Sequence, residues 1–372
     1  MKNKKKNVLI NGSRLITESL ARSGADAFVG YPITPANYLY LYSTQRMPEV
    51  YHAPDEITTL QWMAGLASTG KLPVTATSFP GFALMVESIN MAYMMELPMV
   101  IILVQRLGPS TGTATCGAQG DISLINGLIS GGYPVPAFSM SDFNDCWTLP
   151  ALAAETAVKL RTPVVLLTSK EMVRTSRSFD IDSLASLEPV KREFYSLSEK
   201  FKPYHPEAND VPLMLPLGSD EHQVRFTAST HNEEGLLQHS SPEVLANTRR
   251  LDRKMKSNLN DYLQYEYDKG SDPDTIILSY GISAVSAREA VKEIRTDRDI
   301  SLLIAKTMLP VPDVYYSILE KYRNIVIAEE NLNGLYSEIL FGKKRPANVH
   351  CVNSIGSMVS SKQIIEGVES YE

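Results

Sequence analysis

The sequence predicts an α/β protein with a mainly parallel sheet, arranged as two layered units joined by a long connection. Three observations lead there. Apolar strand-like runs alternate with helix-like segments through the first half, the pattern of helices laid over a parallel sheet. Residues 99–104 form an unbroken apolar run between Pro98 and a Gly-Pro turn, as a strand covered on both faces requires. At 372 residues the chain exceeds one ordinary hydrophobic core, so two domains are expected.

The elements follow in order. Asn11 or Ser13 can cap a helix that runs to about Ser23, where Gly24 ends it. Residues 27–31 read as a short strand and 58–69 as a helix. Residues 74–77 are the next strand, closed by the breaker Phe79-Pro80-Gly81. Residues 83–95 are apolar on nearly every face, which predicts a buried helix. A helix near 147–159 and a strand over 163–168 complete a first unit, 7–180. Across 181–272 the character changes. Residues 200–240 are rich in Pro, His, Asn, Asp and Ser and lack periodicity, as a surface-wrapping connection would. A charged helix over 242–265 follows; its Arg249, Arg250, Arg253 and Lys254 read as a solvated face. The second unit, 273–372, shows strands at 275–279, 301–306, 324–328 and 349–352. Helices at 284–295, 312–322 and from Ser361 accompany them. About 100 residues suit a small separate domain.

Composition narrows the function. With 44% hydrophobic and 21% charged residues the chain fits a soluble globular protein. A net charge of −6 argues against nucleic acid, because phosphate binding needs surplus Lys and Arg. The basic run 2–6 reads as a solvated tail. No apolar h-region follows it, so it is not a secretory signal, and 99–104 is too short to cross a bilayer. A cytoplasmic protein is expected. Cys116, Cys146 and Cys351 are widely spaced without a Cys-x-x-Cys pair, so this chain is expected to hold no iron–sulfur cluster and no metal.

Three residues stand out as chemistry. Thr34 lies in Pro32-Ile33-Thr34-Pro35, where two prolines fix φ and hold the preceding residues extended. The loop either presents a hydroxyl to a carboxylate or keto oxygen or is simply a rigid turn. Glu56 follows Asp55 at a helix start. A favourable helix dipole, about 0.3–1 kcal/mol, is one sufficient reason for an acid there. The other is a carboxyl buried against a heterocycle, sharing a proton with a ring nitrogen. Arg106 ends the apolar run, at the strand end where open α/β sheets gather ligands. A buried arginine is costly unless paired. Its planar fork suits a carboxylate, either structural or belonging to an anionic substrate. Gly108, Ser110, Thr111 and Gly112 follow with hydroxyls and an approachable backbone. The methionines at 85, 91, 94, 95 and 99 read as adaptable core or subunit packing. No Walker loop or G-x-G-x-x-G fingerprint is present, and Gly120-Asp121-Ile122 is not a Gly-Asp-Gly motif.

Taken together, Gly30 through Pro35, Asp55-Glu56-Ile57, Thr75 through Ser78, Pro80-Gly81-Phe82 and Gln105 through Gly112 form a recognisable set. Gln119-Gly120-Asp121, Leu309 through Pro312 and Glu330 through Gly334 extend it. Over most of its length the chain resembles the α subunit of the 2-oxoacid:ferredoxin oxidoreductases. That resemblance implies a thiamine diphosphate pyrimidine-binding (Pyr) domain, then a transketolase C-terminal-like α/β domain. It also implies CoA-dependent oxidative decarboxylation of a 2-oxoacid, giving acyl-CoA, CO₂ and reduced ferredoxin. A β subunit would carry the diphosphate domain, Mg²⁺ and a [4Fe–4S] cluster, and some members add γ and δ subunits. Glu56 would meet the pyrimidine, with Pro32 and Ile33 lining the cofactor. Thr34 and Arg106 would hold the substrate, supported by Thr111.

The chain departs from the pattern in four places. Leu107 stands where a second Gly is common, Phe79 replaces a Gly, and Leu335 replaces a Gln. Thr115-Cys116-Gly117-Ala118-Gln119 stands where relatives carry Thr-Lys-Thr-Glu-Gln. This last change removes charges from a place suited to reading a distal carboxylate, which argues against 2-oxoglutarate itself and leaves branched or aromatic 2-oxoacids open, although Gln105 through Gly112 resembles the 2-oxoglutarate and generic 2-oxoacid subgroup more than the pyruvate-specific one. Two other readings stay open: half of a non-oxidative thiamine enzyme of the transketolase or synthase kind, and a non-catalytic assembly subunit.

Overall fold

Asn11 opens the first helix as the sequence suggests, its side chain accepting from Arg14 N at 3.1 Å. The structure is a computed structural model and describes residues 7–371; the basic run 2–6 lies outside the described residues. In chain order come β1 (Asn7–Asn11), α1 (Gly12–Arg22), β2 (Ala27–Gly30), α2 (Asn37–Arg46), β3 (Glu49–His52), α3 (Glu56–Ser68), β4 (Pro73–Thr77) and α4 (Phe79–Met94). Next are β5 (Met99–Gln105), α5 (Ile122–Asn126), β6 (Ala137–Ser139), α6 (Asp145–Leu160), β7 (Pro163–Ser169), α7 (Lys170–Arg174) and β8 (Ser176–Asp180). After the connection come α8 (Pro242–Ser257), β9 (Tyr265–Asp268), β10 (Thr275–Tyr280), α9 (Ser283–Ile294), β11 (Ser301–Ala305) and β12 (Thr307–Leu309). The chain closes with α10 (Asp313–Leu319), β13 (Asn324–Glu329), α11 (Leu335–Phe341), β14 (Val349–Asn353) and α12 (Ser361–Ser370).

The larger sheet has the order β12-β6-β7-β5-β4-β2-β3. Strands β2 to β7 run parallel, with Val100 of β5 between Val74 and Val164. All seven residues of β5 are buried, which is why its sequence does not alternate. The smaller sheet is β14-β13-β10-β11-β9, parallel except for β9. β1 and β8 pair antiparallel on their own. Two strands cross the expected boundaries. β9 lies in the connection yet edges the second sheet. β12 lies in the second unit yet pairs antiparallel with β6 of the first sheet, Thr307 facing Phe138.

The charged helix differs from expectation in length and in surroundings. α8 ends at Ser257, and residues 265–268 are strand. Arg249 and Arg253 are exposed as expected, but Arg250 and Lys254 are 2% and 1% exposed and do not belong to a solvated face. Both grip the fully buried Glu96, Lys254 Nζ at 2.6 Å and Arg250 through a two-pronged pair. Arg161 donates to the Glu96 carbonyl at 3.3 Å and to carbonyls of Pro203, Pro212 and Leu213. Burial pushes the Glu96 carboxyl up, but Lys254 and Arg250 overcome this and hold it well below the usual range. The sequence shows only the spacing of the cations; the partner, 154 residues away, comes from tertiary packing. This clamp fastens α8 and the connection to the amino-terminal edge of the first sheet. No helix among the described residues is long and apolar enough to cross a membrane.

Candidate functional site

Chain order along the first sheet reverses between β2 and β4, whose carboxyl ends open toward one edge. Crevices of this kind receive ligands in α/β sheets. The segments that leave β2, β3, β4 and β5 carry Thr34, Glu56, Gly81 and Arg106 to that edge.

Arg106 leaves β5 and reaches across the end of β4 to the β2 loop, where Nη1 donates to the Thr34 carbonyl at 2.7 Å. The Thr34–Pro35 bond is cis. Thr34 and Ile33 are half-buried and Pro32 is exposed. Arg106 holds the backbone of Thr34, whose hydroxyl makes no hydrogen bond among the described residues. Arg106 is 6% exposed and its Nε is buried without a hydrogen-bond partner. Burial pulls its pKa down, opposed by Asp121. Asp121 is 5% exposed, and its Oδ2 is likewise buried and unpartnered. Burial raises its carboxyl to about 7 against the pull of Arg106.

Glu56 is the first residue of α3. Asp55 already caps that helix, accepting from Thr58 N at 2.7 Å, so Glu56 is not needed as the cap. Its side chain is 7% exposed and makes no hydrogen bond or ion pair among the described residues. Gly81, in the first turn of α4, faces it. A Cβ on Gly81 would sit 2.6 Å from Glu56 Oε1 and closer still to Thr77 Oγ1. Glycine here lets the Glu56 carboxyl and the Thr77 hydroxyl pack directly against the α4 backbone. Ser78 Oγ and Gln105 Nε2, at the ends of β4 and β5, are also buried without partners. Unsatisfied buried polar atoms are costly, and here they gather where a ligand would satisfy them.

The loop after Arg106 is folded on itself. Leu107 N donates to Cys116 O at 2.8 Å and Thr113 N to Leu107 O at 2.9 Å. Gly112 has φ +48°, and a Cβ there would strike the Leu107 carbonyl. Thr111 sits exposed at the tip, touching none of the other candidates through a hydrogen bond. The structure thus brings Thr34 and Arg106 together and places Glu56 on the same sheet edge, but leaves Thr111 apart.

Sequence reading missed Asp121 and Gly81. The signal for Asp121 was the need of a buried arginine for countercharge. The signal for Gly81 was a glycine just inside a Pro-started helix. The second unit is tied to the same region. Gln119 Nε2 donates to Tyr280 O at 2.9 Å, and its Oε1 accepts from Ser283 Oγ and Glu330 N, each at 2.7 Å.

The Glu56 carboxyl, packed against Gly81 and without a hydrogen-bond partner among the described residues, offers an aminopyrimidine a hydrogen-bonding group at this edge. Among the described residues there is no cluster of three or more His, Cys, Asp or Glu placed to hold a metal ion. A cavity of about 520 Å³ opens at the opposite, amino-terminal edge, lined by Lys71, Pro98, Arg161, Arg192 and Tyr262. Its cations are already engaged, Lys71 with Glu49 at 2.5 Å and Arg192 with Asp26 at 2.7 Å, so we place the site at the carboxyl edge instead.

Comparison with known proteins adds to this geometry. The model of the family described as pyruvate flavodoxin/ferredoxin oxidoreductase, thiamine diphosphate-binding, matches residues 18–250. The 2-oxoglutarate synthase subunit KorA of Methanocaldococcus jannaschii is 29% identical over 367 residues, covering 96% of this chain and 97% of its own. A solved 2-oxoglutarate:ferredoxin oxidoreductase from Magnetococcus marinus, with 2-oxoglutarate, coenzyme A and succinyl-CoA bound, superposes with a TM-score of 0.92 at 24% identity. That match covers 99% of this chain, which spans 65% of the neighbour's chain. A split-gene transketolase, as an inactive β4 tetramer, shares the fold more loosely, with a TM-score of 0.54 and 14% identity over 97% of this chain and 98% of its own.

Proposed function

Because this chain belongs to the pyruvate flavodoxin/ferredoxin oxidoreductase family, we propose that it is the α subunit of a 2-oxoacid:ferredoxin oxidoreductase. The reaction is CoA-dependent oxidative decarboxylation of a 2-oxoacid to acyl-CoA and CO₂, with the electrons passing to ferredoxin. The observation that carries this reading is the buried, partnerless Glu56 carboxylate beside Gly81, on the sheet edge where Arg106 meets Thr34.

Residues 7–180 act as the pyrimidine-binding domain, 181–272 as the wrapping connection and 273–372 as the transketolase C-terminal-like domain. Glu56 offers its carboxylate to a ring nitrogen and holds a proton there, with Pro32 and Ile33 beside the ring. Thiamine diphosphate, when bound, supplies the carbon nucleophile that attacks the keto group and the sink for the electrons freed with CO₂. Arg106 grips the substrate carboxylate, the free hydroxyl of Thr34 donates to the keto end, and Thr111 joins them from the loop tip when the complex closes. Mg²⁺, the diphosphate site and a [4Fe–4S] cluster are assigned to a β subunit, as the resemblance to the family's α subunits implies. Gamma and δ subunits are further partners, and the complex works in the cytoplasm. The named relatives act on 2-oxoglutarate. Loss of charge at Cys116-Gly117-Ala118 favours a 2-oxoacid without a distal carboxylate.

The test is co-expression with the product of the neighbouring reading frame. The complex is expected to reduce viologen with a 2-oxoacid and CoA, and this chain alone is expected not to. The transketolase-like neighbour supports a second reading, a non-oxidative thiamine enzyme. Carbon–carbon ligation without viologen reduction selects that one.

A further inference from the structure

Arg106 and Asp121 form an incomplete pair. Both are almost fully buried, yet among the described residues no carboxylate oxygen lies within ion-pair reach of the guanidinium. Arg106 Nε and Asp121 Oδ2 each lack a hydrogen-bond partner. Asp121 precedes α5 but its side chain does not cap that helix, so local structure does not account for it. Two residues earlier, Gln119 is locked to the second unit through Tyr280, Ser283 and Glu330. Asp121 therefore stands on a fixed stretch of backbone rather than a loop that can follow its partner. The arginine is anchored at one end only, through Nη1 on the Thr34 carbonyl.

We propose that Asp121 is a positioning residue for Arg106: it balances the guanidinium in the empty site, then cedes it to the substrate's carboxylate by taking up a proton from solvent at Oδ2. Two anions facing one cation in a desolvated pocket repel each other, and protonation of the inner one removes the repulsion. Binding one 2-oxoacid anion then draws in one proton, and charge in the pocket is unchanged. This rests on the function proposed above.

The proton uptake has a readable consequence. Burial sets the Asp121 carboxyl near 7, so substrate competes with ionised Asp121 above that pH. KM for the 2-oxoacid rises with pH there, approaching roughly tenfold per unit. Other ionisable groups around this edge are Glu56 on α3, His52 at the end of β3, Lys170 and Glu171 on α7, and Glu330 after β13. Of these Glu330 is also raised to about 7 by burial, and needs its own control.

The experiment measures KM and kcat of the assembled complex from pH 6 to 8.5, using whichever of pyruvate, 2-oxoglutarate and 2-oxoisovalerate turns over. Wild type is expected to show the rise in KM. Asp121→Asn is expected to flatten it while kcat changes less, and Glu330→Gln to keep it. If no 2-oxoacid is turned over, the functional reading fails and this inference with it. If turnover is present but wild-type KM is flat, or Asp121→Asn keeps the slope, the inference alone fails. Should Asp121→Asn not assemble, Asp121→Ser decides: a KM that no longer rises with pH supports Asp121, and a slope that survives overturns it.

Discussion

The first sheet buries charge at both of its edges and treats it in opposite ways. At the amino edge, Glu96 is met by Arg250 and Lys254, and Arg161 fills four carbonyls. At the carboxyl edge, Glu56 has no partner, and Arg106 and Asp121 each keep an orphaned atom. Desolvating a charge is expensive in either place. One edge recovers that cost within the chain and so serves structure. The other leaves it open, and a ligand is what would close it. The difference teaches that burial of charge does not by itself identify a site; charged side chains left without a partner, at the strand ends where α/β sheets take ligands, are the stronger pointer.

The contrast is most exposed at Glu56. In the assembled complex, Glu56→Gln is expected to lower turnover by about 10²–10⁴-fold, the usual range for removing a proton-transfer group. The melting temperature should hardly move, since no intramolecular bond is lost; full activity in steady-state viologen reduction would end the assignment. Glu96→Gln should do the reverse. Leaving Arg250 and Lys254 buried without their acid is expected to cost about 3–5 kcal/mol in denaturant titration, with activity per folded molecule retained. Because the Glu96 pKa is held down in the fold, its contribution is complete above the ordinary carboxyl range and is lost as pH falls toward the depressed value. Wild type should therefore lose stability on acidification more steeply than Glu96→Gln. Arg106→Lys keeps the charge and loses the fork. A decrease of about tenfold or more in kcat/KM is expected, mostly in KM, on the scale of about 1.5–3 kcal/mol for a charged hydrogen bond. Thr111→Ala, on an exposed tip, should change kcat/KM by less than about tenfold. An effect larger than that of Arg106→Lys would mean that the loop closes onto the substrate far more tightly than its position here indicates.

Much of the fold was legible because its elements carry their own signals. Asn11 and Gly24 bracket α1, Asp55 caps α3, and the apolar run of β5 can be satisfied only between two helical layers. What escaped was short or nonlocal. α2 carries Asn37-Tyr38-Leu39-Tyr40-Leu41-Tyr42 and has no clear apolar stripe. β6 and β12 have three residues each, too few to show a period. Arg250 and Lys254 of α8 looked solvated, like their exposed neighbours Arg249 and Arg253, because their acid lies in another segment. In the site, Thr34, Glu56 and Arg106 announced themselves through prolines, a helix start and a strand end. Asp121 sits in a stretch that local rules leave neutral, and only burial beside Arg106 gives it meaning. Gly81 likewise reads as a turn residue until the carboxylate opposite it is seen.

β12 has a mechanical implication. Its backbone pairs with β6, and Lys306 O accepts from Ser139 N at 2.8 Å. A hinge between the halves would have to break that ladder, so the two halves are expected to unfold together, and calorimetry should record a single cooperative melt instead of two.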